Sequence, residues 1–152
     1  MELDSTDKKI LQYLQEDSTP TTKALSLKLD LSVTAVYERI KKLERNGIID
    51  KYVAVLNPAK AGKGFLVFCH LKLLQHTRDY LTKFEKEVIK LEEVLECYHV
   101  SGDYDYILKI VVADMTAYRE FMVTKLTTLQ HIGSTHSTFV INEVKNTNII
   151  VL

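Results

Sequence analysis

The chain has 152 residues, 46% apolar and 26% charged, with 20 basic against 20 acidic side chains. That length suits one domain or two small ones, and the composition excludes a disordered or collagen-like chain. A net charge of zero excludes a protein that coats nucleic acid unselectively, but not a reader with a local basic face, because the distribution of charge is what counts. No apolar run approaches the roughly 18 residues of a membrane-spanning helix. The charged start MELDSTDKK lacks a signal-peptide stretch, so a cytoplasmic protein without a membrane partner is expected. Two cysteines, Cys69 and Cys97, build no disulfide framework.

The chain divides in grammar. Residues 1–50 carry only helical periodicity, and residues 64–144 alternate strand, helix, strand, strand, helix, strand. Between them, residues 57–64 hold one of the two prolines and two of the five glycines, the mark of a linker. The first helix begins after Asp4 or Ser5, either of which can cap it, and Asp7 suits the positive end of its dipole. Ile10, Leu11 and Leu14 face inward, and Asp17-Ser18-Thr19-Pro20 stops the helix. A second helix spans about Thr22 to Leu29 with Ala24, Leu25 and Leu29 inward. After the tight Asp30-Leu31 link, a third takes Ser32 as N-cap and runs to about Arg45, burying Val36, Ile40 and Leu43. It ends at Asn46-Gly47, where Gly47 can turn left-handed. Ile48 and Ile49 lead into a strand expected at 52–56.

Three such helices, the last two tightly linked, predict a helix-turn-helix. Turned away from its apolar stripe, the third helix presents Thr34, Tyr37, Glu38, Lys41 and Arg45 on one face, with Arg39 and Lys42 flanking. Residues 32–51 hold five basic groups against three acidic ones. On a lone helix such a face usually serves solubility. Third place in a trihelical unit instead predicts a recognition helix, with side chains on base edges and cations on phosphates. Ser32 and Ala35 at its start complete the candidate DNA-contact set.

In the second half, 65–74 and 104–112 are the most continuously apolar strands; 95–101 and 138–144 are more mixed. Helices at about 78–91 (Leu81, Phe84, Val88, Leu91) and 116–129 (Tyr118, Phe121, Met122, Leu129) each carry one apolar stripe, and Asp114 caps the second. The order βαββαβ predicts a ferredoxin-like sandwich, an α+β fold with the first and third strands central. Those two are the more apolar, as central strands should be. On the first strand Phe65, Val67, Cys69, Leu71 and Leu73 point one way, and Leu66, Phe68 and Leu74 the other. Helices cover only one face, so the other calls for a second surface, most simply another copy of the chain. The apolar tail 149–152 is expected to lie against the sheet or a partner subunit.

Three stretches, LDSTDKKILQYLQED, LSVTAVYERIKKLERNGIIDKYVAVLNP and VSGDYDYILKIVV, resemble the Lrp/AsnC (feast/famine) family of transcription regulators in order and spacing, over nearly the whole chain. The resemblance implies a winged helix-turn-helix at 1–56 that binds double-stranded DNA, a linker at 57–64, and a ferredoxin-like domain at 65–152. That second domain is expected to dimerise through its sheet, to assemble further, for example into octamers, and to bind a small effector, an amino acid. Asp30 stands where the family usually has Gly, and Asp tolerates the left-handed region. Asp17-Ser18-Thr19-Pro20 stands where the family often has Asp-Gly-Arg, which removes one phosphate-contacting Arg. The family's Gly-Asp-x-Asp segment falls on Gly102, Asp103, Tyr104 and Asp105, preceded by Ser101. Gly102 lets the backbone approach a ligand, turn N–H groups can take a carboxylate, and Asp103 or Asp105 can hold an ammonium. Thr135 and Ser137 of the fourth strand are expected to complete the pocket.

Other chemistry finds little support. Gly62-Lys63-Gly64 lacks P-loop spacing. His70, His76, His99, His131 and His136 offer no HxxxH, and the cysteines no CxxC, so neither a metal nor a cofactor is expected. Cys97 and His99 share one strand face, while Cys69 and Cys97 fall on strands that are not neighbours. No Ser/His/Asp set is placed by a motif, and no catalytic residue is assigned. Two alternatives remain: a sirohaem-decarboxylase-like enzyme of the same architecture, using His99 or His136, and an oligomeric sensor that ignores DNA. The basic third helix argues against both.

Overall fold

The computed structural model describes residues 2–152. Helix α1 (Ser5–Glu16) opens on a capping box in which Asp4 accepts the Asp7 N–H at 2.7 Å and Asp7 accepts the Asp4 N–H at 3.4 Å. Thr21 caps α2 (Thr22–Leu29) and Ser32 caps α3 (Val33–Arg45), each through its side-chain oxygen. Asp30 takes the left-handed conformation at φ 54° and Gly47 at φ 67°, as the turns at those places require. Ile10, Leu11, Leu25, Val36 and Leu43 are buried between the helices, so the expected stripes meet in one small core.

This unit holds the chain as far as Val55 and also Val144–Leu152. The tail thus belongs with the helices of this unit. Gln15 of α1 donates to the Ile150 carbonyl at 3.0 Å and accepts from the Ile150 N–H at 2.7 Å. The expected strand at 52–56 is absent, because a strand needs a backbone partner and none among the described residues pairs with it.

The second unit, Leu56–Glu143, is a four-stranded antiparallel sheet in the order β2-β3-β1-β4, built from β1 (Phe65–Leu73), β2 (Val94–His99), β3 (Tyr106–Val112) and β4 (Ile132–Phe139). Central β1 and β3 bury alternate residues, Val67, Cys69, Leu71 and Leu73 on one, Tyr106, Leu108, Ile110 and Val112 on the other. Helices α4 (Arg78–Val88) and α5 (Met115–Thr124) cover that face with Phe84, Val88, Tyr118 and Phe121. Asp114 caps α5 by accepting the Ala117 N–H at 2.8 Å. Both helices are shorter than expected. The chain after α5 tightens into a 3-10 turn at Leu126–Thr128, and α4 ends before Leu91.

The fourth strand is the main correction: it occupies Ile132–Phe139, not 138–144. Its ladder on β1 runs from Leu73↔Ile132 to Val67↔Phe139. Since β1 begins at Phe65, the more apolar stretch beyond Val140 has little strand left to pair with. An edge strand buries only alternate side chains on one face, so the polar sequence IGSTHSTF suffices.

Candidate DNA-contact helix and effector turn

Helix α3 carries the expected face. Thr34, Tyr37, Glu38, Lys42 and Arg45 are exposed, and Tyr37 keeps 48% of its surface in solvent. Ser32 spends its hydroxyl on the Ala35 N–H at 3.1 Å, and Ala35 is half-buried. Lys41 is tethered: its Nζ lies 2.6 Å from Glu44 Oε2 and 5.8 Å from the Tyr37 ring centroid. The Tyr52 hydroxyl donates to the other Glu44 oxygen at 3.2 Å. Hydrogen bonding to Glu44 raises the Lys41 pKa, and the same bond lowers that of Glu44.

Arg39 departs from this face. One guanidinium nitrogen donates to Asp4 Oδ2 and Asp7 Oδ1, both at 2.7 Å. Asp7 is only 2% exposed, and a buried carboxylate needs such a partner. The Asp7 N–H, and then Arg39, hold the Asp4 carboxyl below its usual pKa. Arg39 thus ties α3 to the start of α1. Glu44 and Tyr52 did not stand out in the sequence, and Asp4 and Asp7 stood out only as residues of the helix start, because nothing in helical spacing signals a contact made across the fold.

The turn between β2 and β3 holds the second candidate set. Ser101, Gly102 and Asp103 are exposed, and Gly102 sits at φ 119° with nothing within 4 Å of where a Cβ would stand. Asp105 is occupied. Its Oδ2 accepts the Leu73 N–H and its Oδ1 meets His76 Nε2, both at 2.7 Å, while its own N–H donates to Leu71 O at 2.8 Å. Asp103 is the carboxylate left open to solvent. Tyr104 lies 5.0 Å from His70 and 6.2 Å from His136 between ring centroids, with Lys72 Nζ 5.8 Å from its own.

Thr135 and Ser137 pair with the inward-facing Leu71 and Cys69, and Ser137 Oγ lies 2.6 Å from the Tyr118 hydroxyl. Burial pushes that Tyr118 hydroxyl up to about 12. From β4 it is therefore His136 that meets Tyr104, while Ser137 is engaged in the core. Cys69 and Cys97 lie on β1 and β2, which β3 separates, and burial raises both thiols, Cys97 to about 11. The His99 ring stacks on Tyr106 at 4.7 Å. No group of three or more potential metal ligands occurs among the described residues. Nor is any helix among them long and apolar enough to cross a membrane.

A capped trihelical unit with an exposed basic helix, joined to a helix-backed antiparallel sheet, defines a DNA-binding regulator with a ligand-binding domain. Comparison with known proteins agrees. Residues 3–50 match the winged helix-turn-helix DNA-binding family and residues 66–150 the Lrp/AsnC ligand binding domain. The chain belongs to the Lrp/AsnC family of transcriptional regulators. It is 40% identical to the leucine-responsive regulatory protein of Escherichia coli (strain K12) over 151 residues, 99% of this chain and 92% of that protein. The crystal structure of an AsnC family regulator from Agrobacterium tumefaciens matches with a TM-score of 0.93 at 36% identity, covering 97% of this chain and 96% of that one. A transcriptional regulator from Neisseria meningitidis, solved in complex with L-Met, matches with a TM-score of 0.92 at 35% identity, covering 97% and 95%.

Proposed function

We propose that a homodimer of this chain lays α3 in the major groove of operator DNA, and that an amino acid bound at the 101–105 turn shifts its assembly or its DNA affinity. The exposed face of Thr34, Tyr37, Glu38, Lys42 and Arg45 on a rigidly capped helix carries the DNA half of this reading. Thr34 and Tyr37 suit base edges; Lys41, Lys42 and Arg45 suit phosphates. The effector half rests on the turn: exposed N–H groups beside Gly102 for a carboxylate, and Asp103 for an ammonium. The relative solved with L-Met supports an amino acid as the ligand class. Dimerisation would cover the open face of the sheet, and higher assembly would follow from further copies.

The test is a mobility shift on promoter DNA flanking the protein's own gene, at stated salt, with each common amino acid added in turn. Specific binding altered by one of them is the expected result. Replacing Lys41 and Arg45 together by Gln should abolish specific binding in a folded protein and flatten the salt slope by about two units. Unchanged affinity at matched salt would overturn the assignment of α3.

A further inference from the structure

The face of the sheet away from α4 and α5 changes character along β1. At one end Leu66 lies opposite Val111, and Phe68 follows it on the same face. At the other end His70 and Lys72 lie opposite His136 and Ser134 of β4, and residues directly opposite one another share a face. Lys109, on this face too, is spent on Glu96 at 2.9 Å. Lys72 is exposed, and among the described residues no carboxylate pairs with it. Its Nζ lies 5.8 Å from the Tyr104 ring centroid. That ring is 5.0 Å from His70 and 6.2 Å from His136, and the two imidazoles are 6.1 Å apart. His70 Nδ1 is buried without a partner. A buried N–H is costlier to orphan than a bare acceptor, so the His70 proton belongs on Nε2, which becomes a donor. Asp105, next after Tyr104, has both carboxylate oxygens spent on the Leu73 N–H and His76. An ammonium and two imidazoles thus gather around one ring of the 101–105 turn, and donors unmatched by a carboxylate suit an anion.

We propose that this cluster holds a side-chain carboxylate of the effector, which makes the effector a dicarboxylic amino acid. The inference rests on the reading of the 101–105 turn as the effector site and deepens it. Tyr104 is one residue beyond Asp103. The ligand's α-carboxylate and ammonium go to the turn N–H groups and Asp103. Its second carboxylate passes the Tyr104 ring to Lys72, with His136 and His70 as further donors. An aliphatic side chain there would cover these polar groups without bonding them, at a cost in affinity.

Calorimetry on the full chain, at matched ionic strength, compares L-glutamate and L-aspartate with L-glutamine, L-asparagine, L-leucine and L-methionine. One acid should bind about tenfold more tightly than its own amide, the worth of a charge-assisted bond. Lys72→Gln should remove that preference with melting unchanged, and Lys72→Arg should restore it. His136→Ala should weaken the acid about fivefold. A neutral amino acid bound more tightly than either acid overturns the inference and leaves the effector site standing. Acid binding unchanged in both Lys72→Gln and His136→Ala overturns the role of this cluster. A wild-type chain that binds none of the six, nor any other common amino acid, overturns the reading of the turn itself, and the inference falls with it.

Discussion

Arg39 follows Glu38 on a helix whose charged side faces solvent, yet its guanidinium turns back to Asp4 and Asp7. The reason is Asp7. Its carboxylate closes the capping box and is buried in doing so, and a buried charge left alone is costly. Arg39→Ala should therefore destabilise the first unit by about 2 kcal/mol, and lower its melting temperature by roughly 10 °C for a unit of this size. DNA binding by the fraction still folded should persist, which thermal unfolding beside a mobility shift will show. The same cluster sets an acid limit. The Asp4 carboxyl sits below the usual aspartate range, chiefly through the Asp7 N–H and then through Arg39. A lowered pKa gives stability that is complete above the unfolded value and lost as pH falls through the folded one. Melting of the first unit should accordingly drop below about pH 4, and Arg39→Ala should blunt that dependence.

At the scale of elements, the 101–105 turn separates two carboxylates that the sequence left equivalent. Asp105 ends β1 by accepting the Leu73 N–H, whereas Asp103 is exposed beside Gly102. Asp105→Ala should cost about 1–2 kcal/mol, the penalty of an orphaned backbone donor. Asp103→Ala should leave melting unchanged and remove the amino-acid response, with DNA binding intact. Calorimetry with the effector found in the mobility shift will separate the two, and a normal response in Asp103→Ala would move the pocket elsewhere. The fourth strand teaches a related lesson about legibility. Apolar content pointed to 138–144, but the strand is fixed by where β1 offers a free edge and by the turn that begins at His131, itself left-handed at φ 74°. Helix starts were legible because Asp4, Thr21, Ser32 and Asp114 each act on the N–H only three residues away.

For the whole molecule, the face of the sheet away from α4 and α5 is decisive. Leu66, Phe68, Ile107 and Val111 remain half-buried in the single chain, paired as Leu66↔Val111 and Phe68↔Lys109 on the central strands. Apolar area of this kind marks an interface, and in the proposed dimer it is the face that a second copy would cover. Phe68→Glu should shift the mass in sedimentation toward the monomer. Specific DNA affinity should fall with it, since a dimer engages two half-sites together. An unchanged mass would place the self-contact on another surface.

The sequence by itself determined the three helices and their caps, the βαββαβ order, the central place of β1 and β3, and the exposed face of α3. All of these follow from local rules: capping within a turn, a period of 3.6 or 2, and apolar content graded by burial on one face or two. Only the tertiary structure decided which charges are spent inside the protein. Arg39 and Asp105 look as available in sequence as Arg45 and Asp103, but each is consumed by a partner 29 to 35 residues away. It also decided where the tail goes. Gln15 and Ile150 are 135 residues apart, and no pattern along a chain encodes a meeting that only the folded backbone brings about.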